Sequence, residues 1–238
     1  MINKLELIKL LRDNNAIMNL SNLSVEELTD MFGEDFAKQK DYSQNNPHHC
    51  HDLLQHTLHT VVGIDEFLPV EKSATLLKVA ALFHDIGKPD VKKEKQGRFV
   101  FYGHAKKSVE IAEPLLQQLD FEEAIPLILF YIEHHDEFIS FKMDFEMPEK
   151  ANKFIKEINE ENVKQQIKSV VQSRKKNGKY IPSKTDFIDL LLLCMADASA
   201  QKKEVITEEG LIDGSELKIY RMRKIQIIIE AMDFDDIY

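Results

Sequence analysis

Apolar residues recur along most of this chain at the three- and four-residue spacing of an amphipathic helix. Leu5, Ile8, Leu10 and Leu11 begin such a stripe in a lead-in over 1–45, where Ser24-Val25-Glu26-Glu27 has the form of a capping box opening a second helix. Asn45-Asn46-Pro47 breaks the chain, and a polar, histidine-rich helix is expected over 48–64. Beyond Pro69, Ser73 opens a helix that carries Leu76, Leu77, Val79, Ala80, Leu82 and Phe83 and is stopped by Gly87 and Pro89. The charged stretch 91–102, with Gly97 at its middle, reads as a loop or short hairpin. Helices follow over 104–119 and 122–137. Residues 141–184 read as one or two exposed helices with a loop at Asn177-Gly178, and the chain closes with an apolar helix over 184–201 and an amphipathic one over 217–232. No internal repeat is present, and the expected fold class is all-α.

Composition supports that reading. Only 8 Gly and 7 Pro occur in 238 residues, too little punctuation for many short strands. A formal charge of -10 disfavours a dedicated duplex-DNA binder. No run approaches the about 18 apolar residues that a membrane span needs, and the N-terminus has the form of no signal peptide. Cys50 and Cys194 lie far apart and fit no metal-binding spacing, so reduced thiols and a cytoplasmic location are expected.

The histidines carry the chemistry. Nine occur, at 48, 49, 51, 56, 59, 84, 104, 134 and 135, spread over several expected helices. His84-Asp85 stands at the end of an apolar helix, where an imidazole beside a carboxylate can chelate a divalent metal; the plain alternative is a helix-terminal charge pair. Asp52 lies four residues before His56, on the same helical face, placed to orient its ring. Asp197 interrupts the apolar run 190–196, where an unpaired buried carboxylate is costly; a metal shared with His56, His84 and Asp85 would satisfy it, and the alternative is a face open to water.

The ordered series His56, His84-Asp85, Asp197 resembles the four-residue signature of the HD superfamily of metal-dependent phosphohydrolases. Asn46-Pro47-His48-His49 with Asp52-Leu53-Leu54-Gln55-His56, then His84-Asp85-Ile86-Gly87-Lys88-Pro89, Phe99-Val100-Phe101-Tyr102-Gly103-His104 and Ala196-Asp197-Ala198, is similar to HD domains attached to tRNA nucleotidyltransferases. That resemblance covers roughly 45–140 and 185–201. It implies an all-α HD-domain helical bundle with extra terminal helices: a lead-in (1–45), an HD core (46–201) interrupted by a basic insert (141–184), and a C-terminal helix and tail (202–238). It further implies that His56, His84, Asp85 and Asp197 hold a first metal. His104 with His134 and His135 match the second-metal histidines, Asp85 bridging, with His135 the better match. His49 is placed near substrate. His48, His51 and His59 receive no role and are expected at the surface. The stretch after His104, Ala105-Lys106-Lys107-Ser108, departs from relatives that more often carry an acid there.

One or two divalent ions (Fe, Mn, Co, Ni, Zn or Mg) would lower the pKa of water toward neutrality for in-line attack on phosphorus. Lys88, one turn past His84, is either aimed at the developing phosphoryl charge or a plain helix-end charge. The expected function is metal-dependent hydrolysis of a phosphate ester, a nucleotide foremost, monoester or diester. The alternative is a non-catalytic module binding RNA or a nucleotide. RNA stays in view because 164–184 holds seven basic residues (Lys164, Lys168, Arg174, Lys175, Lys176, Lys179, Lys184) and no acid, a stretch that either guides a polyanion or is merely solvated.

Overall fold

The computed structural model describes residues 1–45, 51–68, 74–142, 156–201, 204–207 and 210–238; of 142, 204–207 and 210–214 it describes the backbone only. The fold is all-α. The lead-in folds as α1 (Lys4–Leu11), α2 (Asn14–Asn19), a 3₁₀ turn, α3 (Val25–Phe32) and α4 (Glu34–Ala37). The capping box read from the sequence is formed: Ser24 accepts from the Glu27 amide while the Glu27 carboxylate accepts from the Ser24 amide. Asn3 and Glu6 build a second one at α1.

The histidine-rich helix α5 (Leu53–Phe67) starts later than the sequence suggests, because Asp52 caps it by accepting from the Gln55 amide at 2.7 Å. Then come α6 (Thr75–Phe83), the short α7 (Lys88–Val91), and a hairpin of β1 (Lys93–Lys95) and β2 (Arg98–Val100). Its two turn residues, Gln96 and Gly97, both have positive φ, as a tight two-residue hairpin turn requires. Helix α8 (His104–Gln118) follows Gly103, and α9 (Ile125–His134) starts late because Pro126 sits in its first turn.

Between residues 141 and 184 the expectation of exposed helices is corrected. A two-residue strand β3 (Phe141–Lys142) pairs with β4 (Lys156–Glu157), and α10 (Glu160–Lys176) buries Val163, Ile167, Val170 and Val171 in the core. Apolar residues four and three apart made that face visible in retrospect; the surrounding lysines hid it. Helix α11 (Lys184–Gln201) runs through the middle of the molecule, buried on nearly every side from Phe187 to Ala200, against α5, α6, α9 and the last helix. The hairpin of β5 (Glu204–Thr207) and β6 (Gly210–Asp213), absent from the sequence reading, leads into α12 (Gly214–Ala231). The buried side chains of the lead-in, Leu7, Leu11, Ile17, Leu28 and Phe36, belong to the same apolar cluster as those of α5, α6, α9 and α11. Buried Lys78 ties the two regions by donating to the Leu11 carbonyl at 3.0 Å and pairing with Asp65 at 2.7 Å.

The basic run is mostly engaged within the molecule. Lys164 reaches Asp236, Lys175 the Tyr238 carbonyl, Lys184 the carbonyls of Glu230 and Met232, and Lys179 reaches Glu133. Arg174 is 4% exposed; it donates to the Tyr180 carbonyl at 2.7 Å, pairs with Glu133 at 2.6 Å and lies over the Phe130 ring. Burial pushes its guanidinium pKa down, and Glu133 opposes that. No helix among the described residues is long and apolar enough to cross a membrane. Replacing Arg174 by Met strands the Tyr180 carbonyl and leaves the half-buried Glu133 carboxylate with Lys179 alone of its two cations, so it is expected to cost about 1–3 kcal/mol. Thermal unfolding should register a fall of several degrees, while an unchanged midpoint would mean the pair is idle.

Candidate metal centre

Four helices and one helix end deliver the chemistry to one point. His56 comes from the middle of α5, His84 and Asp85 from the turn that ends α6, His104 from the first residue of α8, His135 from the end of α9, and Asp197 from the last turns of α11. His56, His84 and Asp85 are essentially sealed from solvent, and Asp197 is 8% exposed. Asp197 thus faces the interior rather than water.

The cluster has two halves joined by one carboxylate. On one side Asp85 Oδ2 lies 3.3 Å from His56 Nε2 and 3.2 Å from His84 Nε2, while Asp197 Oδ1 lies 2.9 Å from His56 and 3.7 Å from His84. On the other, Asp85 Oδ1 lies 3.2 Å from His104 Nε2 and 3.7 Å from His135 Nε2. The donor atoms of His56, His84, Asp85 and Asp197 fall within 4.8 Å of one another, as do those of Asp85, His104 and His135.

What faces inward follows from what the other ring nitrogen does. The Nδ1 atoms of His84, His104 and His135 sit 2.7, 3.0 and 2.8 Å from the carbonyls of Ala81, Phe101 and Ile132, each three residues back along its own chain. His56 Nδ1 is 3.5 Å from the Ala200 carbonyl on α11. A carbonyl only accepts, so each Nδ1 so placed carries a proton, and a ring in its neutral form turns a bare Nε2 lone pair into the cluster. His104 and His135 meet Nε2 to Nε2 at 3.0 Å, which a bare pair cannot tolerate without a proton or a cation between them. His84 Nε2 and Asp85 Oδ1 are buried and, despite these close approaches, make no hydrogen bond of proper geometry among the described groups. Converging lone pairs and carboxylates of this kind fit a divalent cation, held by imidazole and carboxylate.

Without a cation, protons take its place. Burial works against a charged His84, but the carboxylates of Asp85 and Asp197 prevail and push it up to about 10. Burial likewise opposes ionisation of both carboxylates, yet the imidazoles, and for Asp85 also Lys88, hold them well below the usual range. His104 is raised against its burial by Asp85, and His135, buried and next to His104, is lowered.

Lys88 reaches the cluster from α7. It is 6% exposed, pairs with Asp85 Oδ2 at 2.6 Å, donates to Gln44 at 3.0 Å and lies over the Phe101 ring. The simple helix-end charge is therefore not its situation. Its placement depends on Gly87, where a Cβ would meet the Ser108 amide nitrogen at 2.5 Å and the His104 carbonyl at 2.8 Å. The turn carrying Asp85 and Lys88 presses directly on the start of α8, and the Gly87 amide donates to the Ser108 hydroxyl there.

Three expectations need correcting. The structure does not bring His134 to the cluster: its Nδ1 lies 2.6 Å from Glu137 and its Nε2 3.2 Å from Arg174, against α10. Asp52 caps its helix instead of orienting His56, a task that falls to the Ala200 carbonyl. His51 and His59 are half-buried and stacked on each other at 4.6 Å rather than lying at the surface. His48, His49 and Cys50 lie outside the described residues, while Cys194 is buried and donates its thiol to the His135 carbonyl. The sequence reading missed Asp136, 3.4 Å from His104 and 3.8 Å from His135, although it directly follows His135. It also missed Gln44 on Lys88 and Gln201 on Asp197, neutral amides that no pattern marks.

The architecture and this His/Asp cluster agree with sequence comparison: residues 51–166 match the family model of the HD domain. By that match the segment 51–166, a little under half of the chain, is similar to an HD domain. Asp197 and the C-terminal helix lie beyond the matched segment. Among curated proteins the chain is 32% identical over 124 residues to the CC-adding tRNA nucleotidyltransferase of Thermus thermophilus, an alignment covering 51% of this chain and 28% of that protein. No solved structure matches the chain.

Two measurements test the centre. The protonated His84 stabilises the metal-free fold fully below its unfolded value near 6.5, and that contribution is lost as pH rises through about 10. A cation that displaces the proton removes this dependence, so the rise in melting temperature on adding Mn²⁺ should be larger at pH 9 than at pH 6.5. A shift that shrinks as pH rises would contradict the arrangement. Gly87→Ala should displace α8 from Asp85 and reduce bound metal per chain, read by elemental analysis; full metal content would show that the contact yields freely.

Proposed function

We propose that the protein is a metal-dependent phosphohydrolase acting on a nucleotide or another phosphate ester. The observation that carries this reading is the division of Asp85, whose two oxygens address two separate groups of buried donors. His56, His84, Asp85 and Asp197 would hold one cation, and Asp85 with His104 and His135 a second beside it. Divalent cations so held supply Lewis acidity toward a phosphoryl oxygen and toward water.

The chain's own groups do the rest. The backbone carbonyls behind each Nδ1 fix ring orientation and keep Nε2 available, which pre-organises the donors before substrate arrives. Lys88, held by Gln44 and the Phe101 ring, keeps an ammonium at Asp85 and offsets negative charge that gathers on phosphoryl oxygens during in-line displacement. Asp136, the half-exposed carboxylate beside His104 and His135, is placed to accept a proton from water or to return one to the leaving oxygen. The small part of the tRNA nucleotidyltransferase that this chain spans supports a nucleotide or an RNA end as substrate class. The non-catalytic RNA-binding alternative loses its main support, since most of the basic run is engaged by the C-terminal tail and Glu133.

The test is hydrolysis of 4-nitrophenyl phosphate, bis(4-nitrophenyl) phosphate and a 2′,3′-cyclic nucleotide across Mn²⁺, Co²⁺, Ni²⁺, Fe²⁺, Zn²⁺ and Mg²⁺. Turnover with at least one metal is expected, lost in Asp85→Ala, and reduced about 10²–10³-fold in kcat by Lys88→Met with metal retained. Tight metal binding without turnover on any ester would favour the binding module.

A further inference from the structure

A cleft opens beside the centre, and part of its lining comes from a helix outside the segment that matches the HD domain. His135, Asp136 and Asp197 line it together with Lys218 and Arg221, three residues apart on one face of α12. Both cationic side chains are half-buried. Met222 and the exposed Ile139 add an apolar ledge. Lys218 also donates to Gln201, whose amide in turn donates to the Asp197 carboxylate at 3.2 Å. A single buried amide therefore separates an ammonium from a carboxylate of the centre.

Lys88 already reaches the cluster from the Asp85 side, next to the place assigned to the reacting phosphoryl group. Lys218 and Arg221 stand on the Asp197 side, displaced by the length of Gln201 from the donors themselves. Two cations on one helical face can grip one polyoxyanion, and Arg offers the planar fork that phosphate geometry matches. Resting on the hydrolase reading above for the position of the reacting group, we propose that Lys218 and Arg221 bind a second phosphate of the substrate. The substrate class is then a phosphate ester bearing a further phosphate at a distance from the bond that is cut, a nucleoside bisphosphate being the simplest member. The C-terminal helix acts as the specificity element of the site.

Calorimetric titration of the manganese-loaded full chain with adenosine 3′,5′-bisphosphate and with adenosine 5′-monophosphate tests this. The wild type should bind the bisphosphate more tightly. Lys218→Ala and Arg221→Ala should each weaken it about tenfold, the size of one lost charge-assisted bond, with the monophosphate held within about twofold. Manganese per chain should stay unchanged in both variants. Equal losses for both ligands, no loss for either, or a loss of manganese would each overturn the assignment, the last by showing that the cations serve the centre alone. A wild type that binds the bisphosphate through these residues yet cleaves no ester overturns the hydrolase reading and leaves this one standing. A wild type that cleaves esters with both variants indifferent does the reverse.

Discussion

Four imidazole nitrogens and the oxygens of two carboxylates converge in a space from which water is largely excluded, and this is the constraint on which the other features of the molecule bear. A cluster of lone pairs and negative charge in such surroundings is costly unless something positive sits within it. The protein has made the cost unavoidable by committing each outer ring nitrogen to a backbone carbonyl, so that no ring can turn its lone pair away. Protons on His84 and His104 answer the demand in part. A divalent cation answers it with fewer like-charge contacts, because the proton-bearing imidazoles repel one another while a shared ion does not. Lys88 adds a buried amine at the edge of the cluster, which Asp85 and Gln44 satisfy.

Helix α11 is the element that makes this arrangement mechanically firm. A helix buried all round has no solvent-facing side on which to relax, so Asp197 near its end is held in register with His56 on α5 across a densely packed boundary. The close approach at Gly87 plays the matching part on the other half of the centre, locking the Asp85 turn against the start of α8. Between them the two contacts set the separation of the donors within the range that metal ions accept.

Charge elsewhere in the molecule is used for assembly. The cationic run of α10 and the loop after it looks from its composition like a polyanion surface, yet its members are drawn to Glu133, Asp236 and the carbonyls of the C-terminal tail. His134 is caught in the same network between Glu137 and Arg174. It shares a sequence neighbourhood with His135 and a completely different fate, since successive residues at the end of a helix point about 100° apart.

The helical class, most element positions and the ligand types of the centre were readable from the chain, because helical periodicity is a local property and a carboxylate in an apolar run declares that it needs a partner. His84-Asp85 and Asp197 stand out as polar exceptions in apolar runs, whereas His56, His104 and His135 were named through the order of motifs that carries the family resemblance. Tertiary structure decided what depends on distance through space. It chose between His134 and His135, brought in Asp136, Gln44 and Gln201, reassigned Asp52 to a cap, and turned a run of lysines and an arginine inward. It also carried Lys218 and Arg221, remote in sequence, to the rim of the centre. Neutral amides and scattered basic residues leave no periodic trace, and the partner of a long, flexible side chain is fixed only when another helix packs within its reach.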